Sequence, residues 1–233
     1  HLVPFIICKY LQDIFDCYLG IQITDDEKLF KKDLDLSTIE QYAIQNIEAI
    51  RRIGFKPEKT FIFQNLKYMN PTFYTNIVKI QSCITNSQAF STFGISQIDS
   101  IGKTMFPAVK IAPCIPSSFP HLPLEGMNCL IPCGIDQDPY FRLARDVLPR
   151  LKAPKPALLH STFLPSMQGV NTKMSASYPE FAIFVTNTQE VINKKIMRSF
   201  SGGHIDKQDQ IDKGANLKVD IAYQFIKFFA EDD

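Results

Sequence analysis

Residues 129–142 read CLIPCGIDQDPYFR, an apolar run that passes directly into the start of a helix. We expect Cys129 to Cys133 to form a strand that ends at Gly134, because a short apolar run bounded by glycine is typical of a buried strand. A helix is predicted from Asp138 to about Leu148, and a second strand from Ala157 to His160. This strand–helix–strand order favours a parallel sheet.

The rest of the chain predicts the same alternation. Apolar residues at helical spacing, or N-cap signals, predict helices at Leu2–Phe15, from Ser37 to near Gly54, from Pro71, from Asn187 and over Val219–Phe229. Short apolar runs predict strands at Leu19–Ile23 and Thr60–Phe63. The prolines and serines of Pro107 to Pro123 predict mostly loop. The predicted fold class is therefore α/β, a doubly wound parallel sheet with helices on both faces.

One helix carries its start signal and its buried face in the same stretch. Ser37-Thr38-Ile39-Glu40 matches a capping box, in which the first and fourth side chains bond to each other's backbone N–H groups. Ala43, Ile47 and Ile50 continue the face that Ile39 begins, at the spacing of one helical turn.

Composition excludes several classes of protein. The chain has 233 residues, of which 45% are hydrophobic and 21% charged, and this is ordinary for a globular protein with one large core or one domain with an appendage. The net charge is +1, so any RNA contact must come from a local patch or from a part outside this chain. Apolar runs such as Leu2 to Cys8 are too short to cross a bilayer, and we expect neither a membrane span nor a signal peptide.

The cysteines indicate a reducing compartment. There are six of them, none forms a CxxC pair, and the four histidines are scattered. We therefore expect buried reduced thiols of a cytoplasmic enzyme, and neither a disulfide framework nor a metal site held by the protein.

The predicted sheet also indicates where a ligand would bind. In doubly wound folds, ligands lie beyond the carboxyl ends of the strands. Gln22 to Glu27, Gly134 to Gln137 and the loop after His160 all occupy such ends. These three segments are the candidate site on fold grounds alone.

Three sequence motifs carry a resemblance to a known family. Lys173-Met174-Ser175-Ala176-Ser177 is a variant of the KMSKS loop of class I aminoacyl-tRNA synthetases, and it follows GIDQDPYFR at 134–142 and KPALLHSTF at 155–163. In this order, the motifs closely resemble the eukaryotic type of tryptophanyl-tRNA synthetase, over nearly the whole chain. The resemblance implies a Rossmann-like nucleotide-binding catalytic domain.

The resemblance implies a set of ATP-binding residues. Lys173 would contact the departing pyrophosphate, with Met174 and Ser175 near the nucleotide. Gly134 would face the adenosine, and Asp136 would accept hydrogen bonds from the ribose hydroxyls. Stabilising the charge that develops on leaving oxygens is the main catalytic contribution in such chemistry.

His1 belongs to the same implied set. It aligns with the second His of the family's His-x-Gly-His signature, which helps to stabilise the α-phosphate in the transition state. The implied catalytic residues are therefore His1, Lys173 and Ser175.

The resemblance also implies a tryptophan pocket. Gln22 would accept a hydrogen bond from the indole N–H, Glu27 belongs to the same pocket, Cys133 would form a small apolar wall, and Gln137 would bind the amino acid. Lys110 departs from the family, which usually has Gln there to hold the α-ammonium group. Either Lys110 turns to solvent, which we expect, or it alters affinity, substrate or activation, because its ammonium would repel that of the substrate.

The implied function is ligation of tryptophan to its tRNA. The enzyme would activate tryptophan with ATP and Mg²⁺ to tryptophanyl-adenylate and transfer it to tRNA(Trp) for translation. Residues 1–233 would form a catalytic domain that begins after the family's first signature strand, and 190–233 would begin the connection to a helical anticodon-binding domain. Most tRNA contacts would lie in that further domain. A homodimer is expected, through the segment from Tyr74 to Phe93.

Other interpretations remain open at this point. The sibling tyrosyl-tRNA synthetase has the same fold and chemistry, and a synthetase-like binding protein would have lost amino-acid activation. Without the resemblance, 173–177 is a solvated loop and 134–137 is a strand-to-helix turn, with Asp138 as N-cap and Pro139 at the first helical position. His121, His160 and His204 are expected to be structural.

Overall fold

A computed structural model gives the structure of the chain and describes residues 2–31, 34–174 and 178–230. Within these residues the chain divides into two compact units, 2–161 and 162–230. In the described part, no helix is both long enough and apolar enough to cross a membrane.

The first unit contains eight of the helices described here and four strands. The helices are α1 (Leu2–Phe15), α2 (Asp26–Lys31), α3 (Leu36–Arg51), α4 (Asn65–Tyr68), α5 (Pro71–Gln81), α6 (Asn86–Phe93), α7 (Ile101–Ile111) and α8 (Asp138–Val147). The strands are β1 (Leu19–Ile23), β2 (Thr60–Gln64), β3 (Leu130–Gly134) and β4 (Ala157–Ser161).

The strands of the first unit pair in parallel, which confirms the predicted α/β class. β1 pairs with β2, and Gln22 lies opposite Phe63. β3 pairs with β4, and Cys133 lies opposite His160. Parallel neighbours need a crossover, which α2 and α3 provide for the first pair and α8 provides for the second. In each pair, the carboxyl ends of both strands therefore meet at one edge.

The core of the first unit lies around β2, α5, α7 and α8. Asn70 caps α5, because its Oδ1 accepts a hydrogen bond of 2.9 Å from the backbone N–H of Phe73. Phe73, Ile77 and Ile80 then lie on one buried face of α5, as predicted. Burying one side chain of this size contributes about 1.5–3 kcal/mol.

The predicted capping box is wrong, but the helix predicted to follow it is present. α3 begins at Leu36, so Ser37 lies inside the helix. The N-cap is Asp35, which accepts a hydrogen bond of 2.7 Å from the backbone N–H of Thr38. Of the predicted face, Ile39, Ala43 and Ile50 are buried; Ile47 is half-buried. An aspartate two residues upstream is as good a cap as serine, and it fixes the earlier start.

The prediction of loop from Pro107 to Pro123 is wrong for its first part. α7 continues through Pro107 to Ile111, and short 3₁₀ turns follow at Ala112–Cys114 and Pro116–Ser118. A proline inside a helix costs about 3 kcal/mol, because it removes a backbone hydrogen bond. Here Phe106, Ala108 and Ile111 are buried on the same helix. Their burial offsets the local preference of proline.

The start of α8 also differs from the sequence prediction. Asp138 is already helical, with φ −50° and ψ −43°, and a 3₁₀ turn at Ile135–Gln137 precedes it. Asp138 is therefore not the N-cap, and Pro139 lies in the first turn of the helix.

The second unit contains a small hairpin and three helices. The hairpin pairs β5 (Pro165–Ser166) with β6 (Gly169–Lys173), and the helices are α9 (Gln189–Met197), α10 (Lys207–Lys213) and α11 (Ile221–Phe229). Thr188 caps α9, which begins at Gln189, two residues after the predicted start at Asn187. α11 begins two residues later than Val219, because Asp220 is its cap. The sequence did not predict the hairpin or α10.

Candidate functional site

Gln22 is held by a network that fixes which atom it can offer to a ligand. Its Nε2 donates to Asn65 Oδ1 at 2.9 Å and to the backbone carbonyl of Val109 at 3.1 Å. A backbone carbonyl can only accept a hydrogen bond, so this contact sets the orientation of the Gln22 amide. Both amide protons are then used, and Oε1 is the atom left to accept a proton from a ligand.

The partners of Gln22 are themselves fixed by buried carboxylates. Asn65 Nδ2 donates to Asp26 Oδ1 at 2.8 Å, and the backbone N–H of Glu27 donates to the same oxygen at 2.9 Å. Asp25 accepts from the backbone N–H of Leu66 at 3.2 Å. Burial raises the pKa of Asp26. These bonds join the segment after β1 to the segment after β2, so the end of this strand pair is rigid.

An open cavity of about 420 Å³ lies next to this network. It is lined by aromatic and charged side chains, which are Glu27, Phe30, Phe93, Gly94, Ile95, Asp99, Lys103, Phe106 and Tyr140. Its apolar walls suit a flat aromatic ligand, and its charged groups suit a polar end.

Tyr140 organises the aromatic wall of the cavity. Its ring stacks on Phe93 with centroids 4.5 Å apart and stands at 86° to the ring of Phe106 at 6.1 Å. Burial, and then the negative charge of Glu27, raise the pKa of Tyr140 to about 12. The phenol therefore stays protonated at neutral pH.

Lys110 points into the first unit, so the expectation that it turns to solvent is wrong. Its Nζ donates to Gln137 Oε1. The same ammonium lies 4.4 Å from the centroid of the Tyr140 ring and 5.9 Å from that of Phe106. Two aromatic faces and an amide oxygen stabilise the cation in this position.

The turn after β3 places the remaining candidates of this unit. Gly134 ends β3 with an extended backbone, φ −65° and ψ 148°. Because φ is not positive, glycine is not required here by the backbone conformation. Its lack of a side chain would instead allow a ligand to approach closely. Asp136 is exposed and Gln137 half-buried. Cys133 is buried, and burial raises its pKa while the nearby Lys110 cation lowers it. The thiol belongs to the hydrophobic core of the first unit, and its role as an apolar wall of the tryptophan pocket stays a prediction.

His160 has a partner that supports its expected structural role. Its Nε2 lies 3.0 Å from Asp138 Oδ1, and Arg142 donates to the other oxygen of the same carboxylate. The carboxylate joins the end of β4 to the first turn of α8. It therefore holds the turn that carries Gly134 and Asp136.

The predicted nucleotide loop is described only in part. β6 ends at Lys173, and Met174 follows it half-buried. His1, Ser175 and the side chain of Lys173 lie outside the described residues. Their implied roles stay predictions.

The first unit thus brings together the predicted tryptophan-side residues around the end of α7. Lys110 bonds to Gln137, Gln22 bonds to the carbonyl next to Lys110, and Glu27 lies in the cavity beside Tyr140. Asn65 and Tyr140 were not predicted from the sequence. Asn65 directly follows a parallel strand, which is where ligand-binding residues are expected. Tyr140 lies one helical turn beyond Gln137 and is therefore its neighbour on the helix surface.

Comparisons with known proteins identify the family to which the chain is similar. The family model for class I tRNA synthetases, W and Y, matches residues 119–229. The curated protein named cytoplasmic tryptophan–tRNA ligase from Schizosaccharomyces pombe is 50% identical over 237 residues, covering 100% of this chain and 60% of its own length.

Solved structures give the same result. A product-bound parasite tRNA synthetase has 42% identity and a TM-score of 0.95, covering 100% of this chain and 63% of its own. A tryptophanyl-tRNA synthetase from Encephalitozoon cuniculi, solved with tryptophan bound, has 41% identity and a TM-score of 0.89, covering 100% of this chain and 62% of its own.

The chain therefore belongs to the class I tRNA synthetases, in the family of the tryptophan and tyrosine enzymes. Within that family it belongs with the tryptophanyl-tRNA synthetases. The chain spans 60% of the length of the S. pombe relative.

Proposed function

We propose that this chain is the catalytic domain of an enzyme that activates tryptophan with ATP and transfers it to tRNA(Trp). One observation carries the proposal: the network around Gln22 leaves its Oε1 as a fixed acceptor, and Glu27, which belongs to the same network, lines an aromatic cavity. The indole N–H of tryptophan is a single donor, which such an acceptor recognises. The names of relatives about half identical to the chain support the same choice.

Specificity for tryptophan follows from the fixed geometry of the acceptor. Asn65 and Val109 hold the Gln22 amide, so it cannot rotate to suit a ligand without the N–H. A ligand that leaves this acceptor unpaired forgoes a hydrogen bond worth about 0.5–1.5 kcal/mol. A separate editing domain is therefore not required for this amino acid.

The residues that would bind the nucleotide are proposed from the resemblance. In this proposal Gly134 approaches the adenosine and Asp136 accepts from the ribose, with Met174 beside the nucleotide. His1, Lys173 and Ser175 would stabilise the charge on the phosphates. Within the described ranges, no group of three His, Cys, Asp or Glu residues could hold a metal ion. Mg²⁺ would be carried by the triphosphate oxygens, where it neutralises charge.

The reaction proceeds by positioning and charge stabilisation. The substrate carboxylate attacks the α-phosphorus of ATP, and pyrophosphate leaves. A hydroxyl of the terminal adenosine of tRNA then attacks the acyl carbon of the adenylate and loses its proton, and AMP leaves. No covalent enzyme intermediate is required. The rigid strand ends would hold the amino acid at the distance this attack needs.

The remaining partners are proposed from the resemblance. The relatives carry "cytoplasmic" in their names, which supports a cytoplasmic site of action. Residues 1–233 would act as the catalytic domain, with 190–233 leading to a helical domain that binds most of the tRNA. A homodimer through the segment from Tyr74 to Phe93 completes the proposal.

A tRNA-charging assay tests this function and distinguishes it from the alternative functions. The complete protein is incubated with tRNA, ATP, Mg²⁺ and either tryptophan or tyrosine, and aminoacyl-tRNA is measured. The proposal predicts charging with tryptophan alone. Charging with tyrosine would favour the sibling enzyme. ATP binding without charging by either amino acid would indicate a synthetase-like binding protein.

A further inference from the structure

Lys195, in the last turns of α9, donates to three oxygens of the segment that precedes its own helix. Its Nζ lies 2.8 Å from the carbonyl oxygen of Pro179 and 2.6 Å from that of Ala182. It also lies 3.2 Å from Oδ1 of Asn187. An ammonium has three protons, so each of these oxygens can accept one of them. Lys195 therefore acts within the second unit, on the segment 179–187.

The three oxygens belong to two turns of this segment. The two carbonyls flank the 3₁₀ turn Pro179–Phe181, which Ala182 ends. Asn187 Oδ1 also accepts a hydrogen bond of 3.0 Å from the backbone N–H of Phe184. The Phe184 ring lies beside the same ammonium, with its centroid 5.3 Å from Nζ. One cation thus joins both turns to α9.

The same segment begins where the 173–177 motif ends. Tyr178 is the first residue described after the motif, and its carbonyl accepts a hydrogen bond of 3.1 Å from the backbone N–H of Phe181. The carbonyl of Phe181 accepts one of 3.0 Å from the backbone N–H of Met167. Met167 lies in the hairpin whose second strand, β6, leads into the motif. The chain before the motif and the chain after it are therefore attached to each other.

We propose that Lys195 is a positioning residue for the use of ATP: it holds the segment 179–187, through which the chain leaves the 173–177 motif, where binding of the triphosphate requires it. The proposal rests on the proposed function and deepens it, because it names a residue on which the nucleotide site depends. Lys195 acts through backbone carbonyls and not on the phosphates. A displacement of about 1 Å in a positioning group can cost about a hundred-fold in rate.

Hydrogen exchange and pyrophosphate exchange, both measured on the complete protein, test the proposal together. In Lys195→Met the segment loses three hydrogen bonds from a charged donor, so its amide protons should exchange about ten-fold faster, as read by mass spectrometry. The kcat/KM for ATP should fall about ten-fold or more. The KM for tryptophan should stay within about two-fold, because the residues proposed to bind tryptophan lie in the first unit.

Three further variants isolate the cause. Lys194→Met removes the same charge from an exposed neighbour on α9 and should change neither measurement. Lys195→Arg keeps a cation with several donors and should keep most of the protection and most of the activity with ATP. If Lys195→Met fails to fold, judged by thermal denaturation, Lys195→Gln provides the same comparison.

The outcomes separate this proposal from the proposed function. Unchanged hydrogen exchange of residues 179–187 in Lys195→Met, or faster exchange with an intact kcat/KM for ATP, would overturn the role of Lys195 and leave the function in place. An equal loss in Lys194→Met would assign the effect to positive charge alone and would also overturn it. Absence of pyrophosphate exchange in the natural protein would overturn the proposed function, while hydrogen exchange would still decide whether Lys195 holds the segment.

Discussion

At the scale of single residues, Gln22 illustrates how neighbours decide what a side chain can do. The motif context predicts that Gln22 recognises the indole N–H, but an amide offers both a donor and an acceptor. The carbonyl of Val109 and the oxygen of Asn65 use the donors, and this leaves the acceptor. The chemical role of Gln22 thus depends on residues 43 and 87 positions away in the sequence.

Replacing Gln22 with methionine tests that role. Gln22→Met keeps the side-chain length but removes the acceptor, and an unpaired indole N–H costs about 1–3 kcal/mol. We expect the KM for tryptophan in pyrophosphate exchange to rise about ten-fold or more. Gln45→Met, at an exposed position on α3, is the matched control. An unchanged KM in a folded Gln22→Met protein would contradict the assignment.

Asp16 gives a prediction for the pH dependence of stability. Lys56 and then Lys59 donate hydrogen bonds to its carboxylate and lower its pKa from 3.8 to about 2. Because the folded value lies below the unfolded one, the unfolded chain binds more protons between them. The contribution of Asp16 to stability is therefore present above about pH 4 and is lost as the pH falls toward 2.

Thermal unfolding between pH 2 and pH 5 checks this contribution. In Asp16→Asn the melting temperature should be lower at pH 5, and the difference from the natural protein should shrink as the pH falls. Asparagine tolerates the positive φ of 49° at this position, so the backbone is not strained. Asp146→Asn, at an exposed site on α8, should show no such trend. A difference that stays constant with pH would refute the ion-pair explanation.

At the scale of elements, the contact between α2 and α7 depends on one glycine. A Cβ atom at Gly102 would lie 2.4 Å from Cδ1 and 2.5 Å from Cε1 of Phe30. Phe30 also lines the cavity, so the glycine allows α7 to pack closely on the ring that forms part of the site.

Gly102→Ala therefore tests the packing of these two helices. The added methyl must displace the Phe30 ring, and such overpacking typically costs about 1–3 kcal/mol. We expect a lower free energy of unfolding, measured with urea, together with weaker tryptophan binding. Gly20→Ala is the matched control, because a Cβ there would meet no atom within 4 Å. Equal stability of Gly102→Ala and the natural protein would argue against the close contact.

Local signals predicted the elements whose start and buried face lie in one short segment. α5 has Asn70 as cap, Pro71 in the first turn and a single apolar face, and the sequence predicted it correctly. The prediction of loop from Pro107 is wrong because burial of α7 against distant segments overrides the local preference of proline for loop. Tertiary burial of this kind is not visible in a local pattern.

In the candidate site, too, local signals predict some features, and contacts between distant residues decide others. Motifs and strand ends predict Gln22, Glu27, Cys133 and Gln137 as site residues, and their binding roles stay predictions. The inward direction of Lys110 could not, because it depends on Gln137 and Tyr140, which are distant in sequence. The roles of His1, Lys173 and Ser175 rest on motif resemblance alone.

At the scale of the whole molecule, the chain combines the proposed amino-acid site with a motif that resembles a nucleotide-binding loop. The first unit holds the cavity and the Gln22 network, and the second contains the hairpin that leads into the 173–177 motif. A two-step reaction through an adenylate requires both. The central claim is that this chain activates tryptophan and not tyrosine.

Amino-acid-dependent ATP–pyrophosphate exchange on the complete protein tests that claim most directly, since it reports activation without tRNA. We expect exchange with tryptophan and a kcat/KM for tyrosine at least about a thousand-fold lower, because the phenol O–H of tyrosine does not lie where the indole N–H lies and so does not meet the fixed acceptor of Gln22. Comparable exchange with both amino acids, or none with tryptophan in a folded protein that binds ATP, would contradict it.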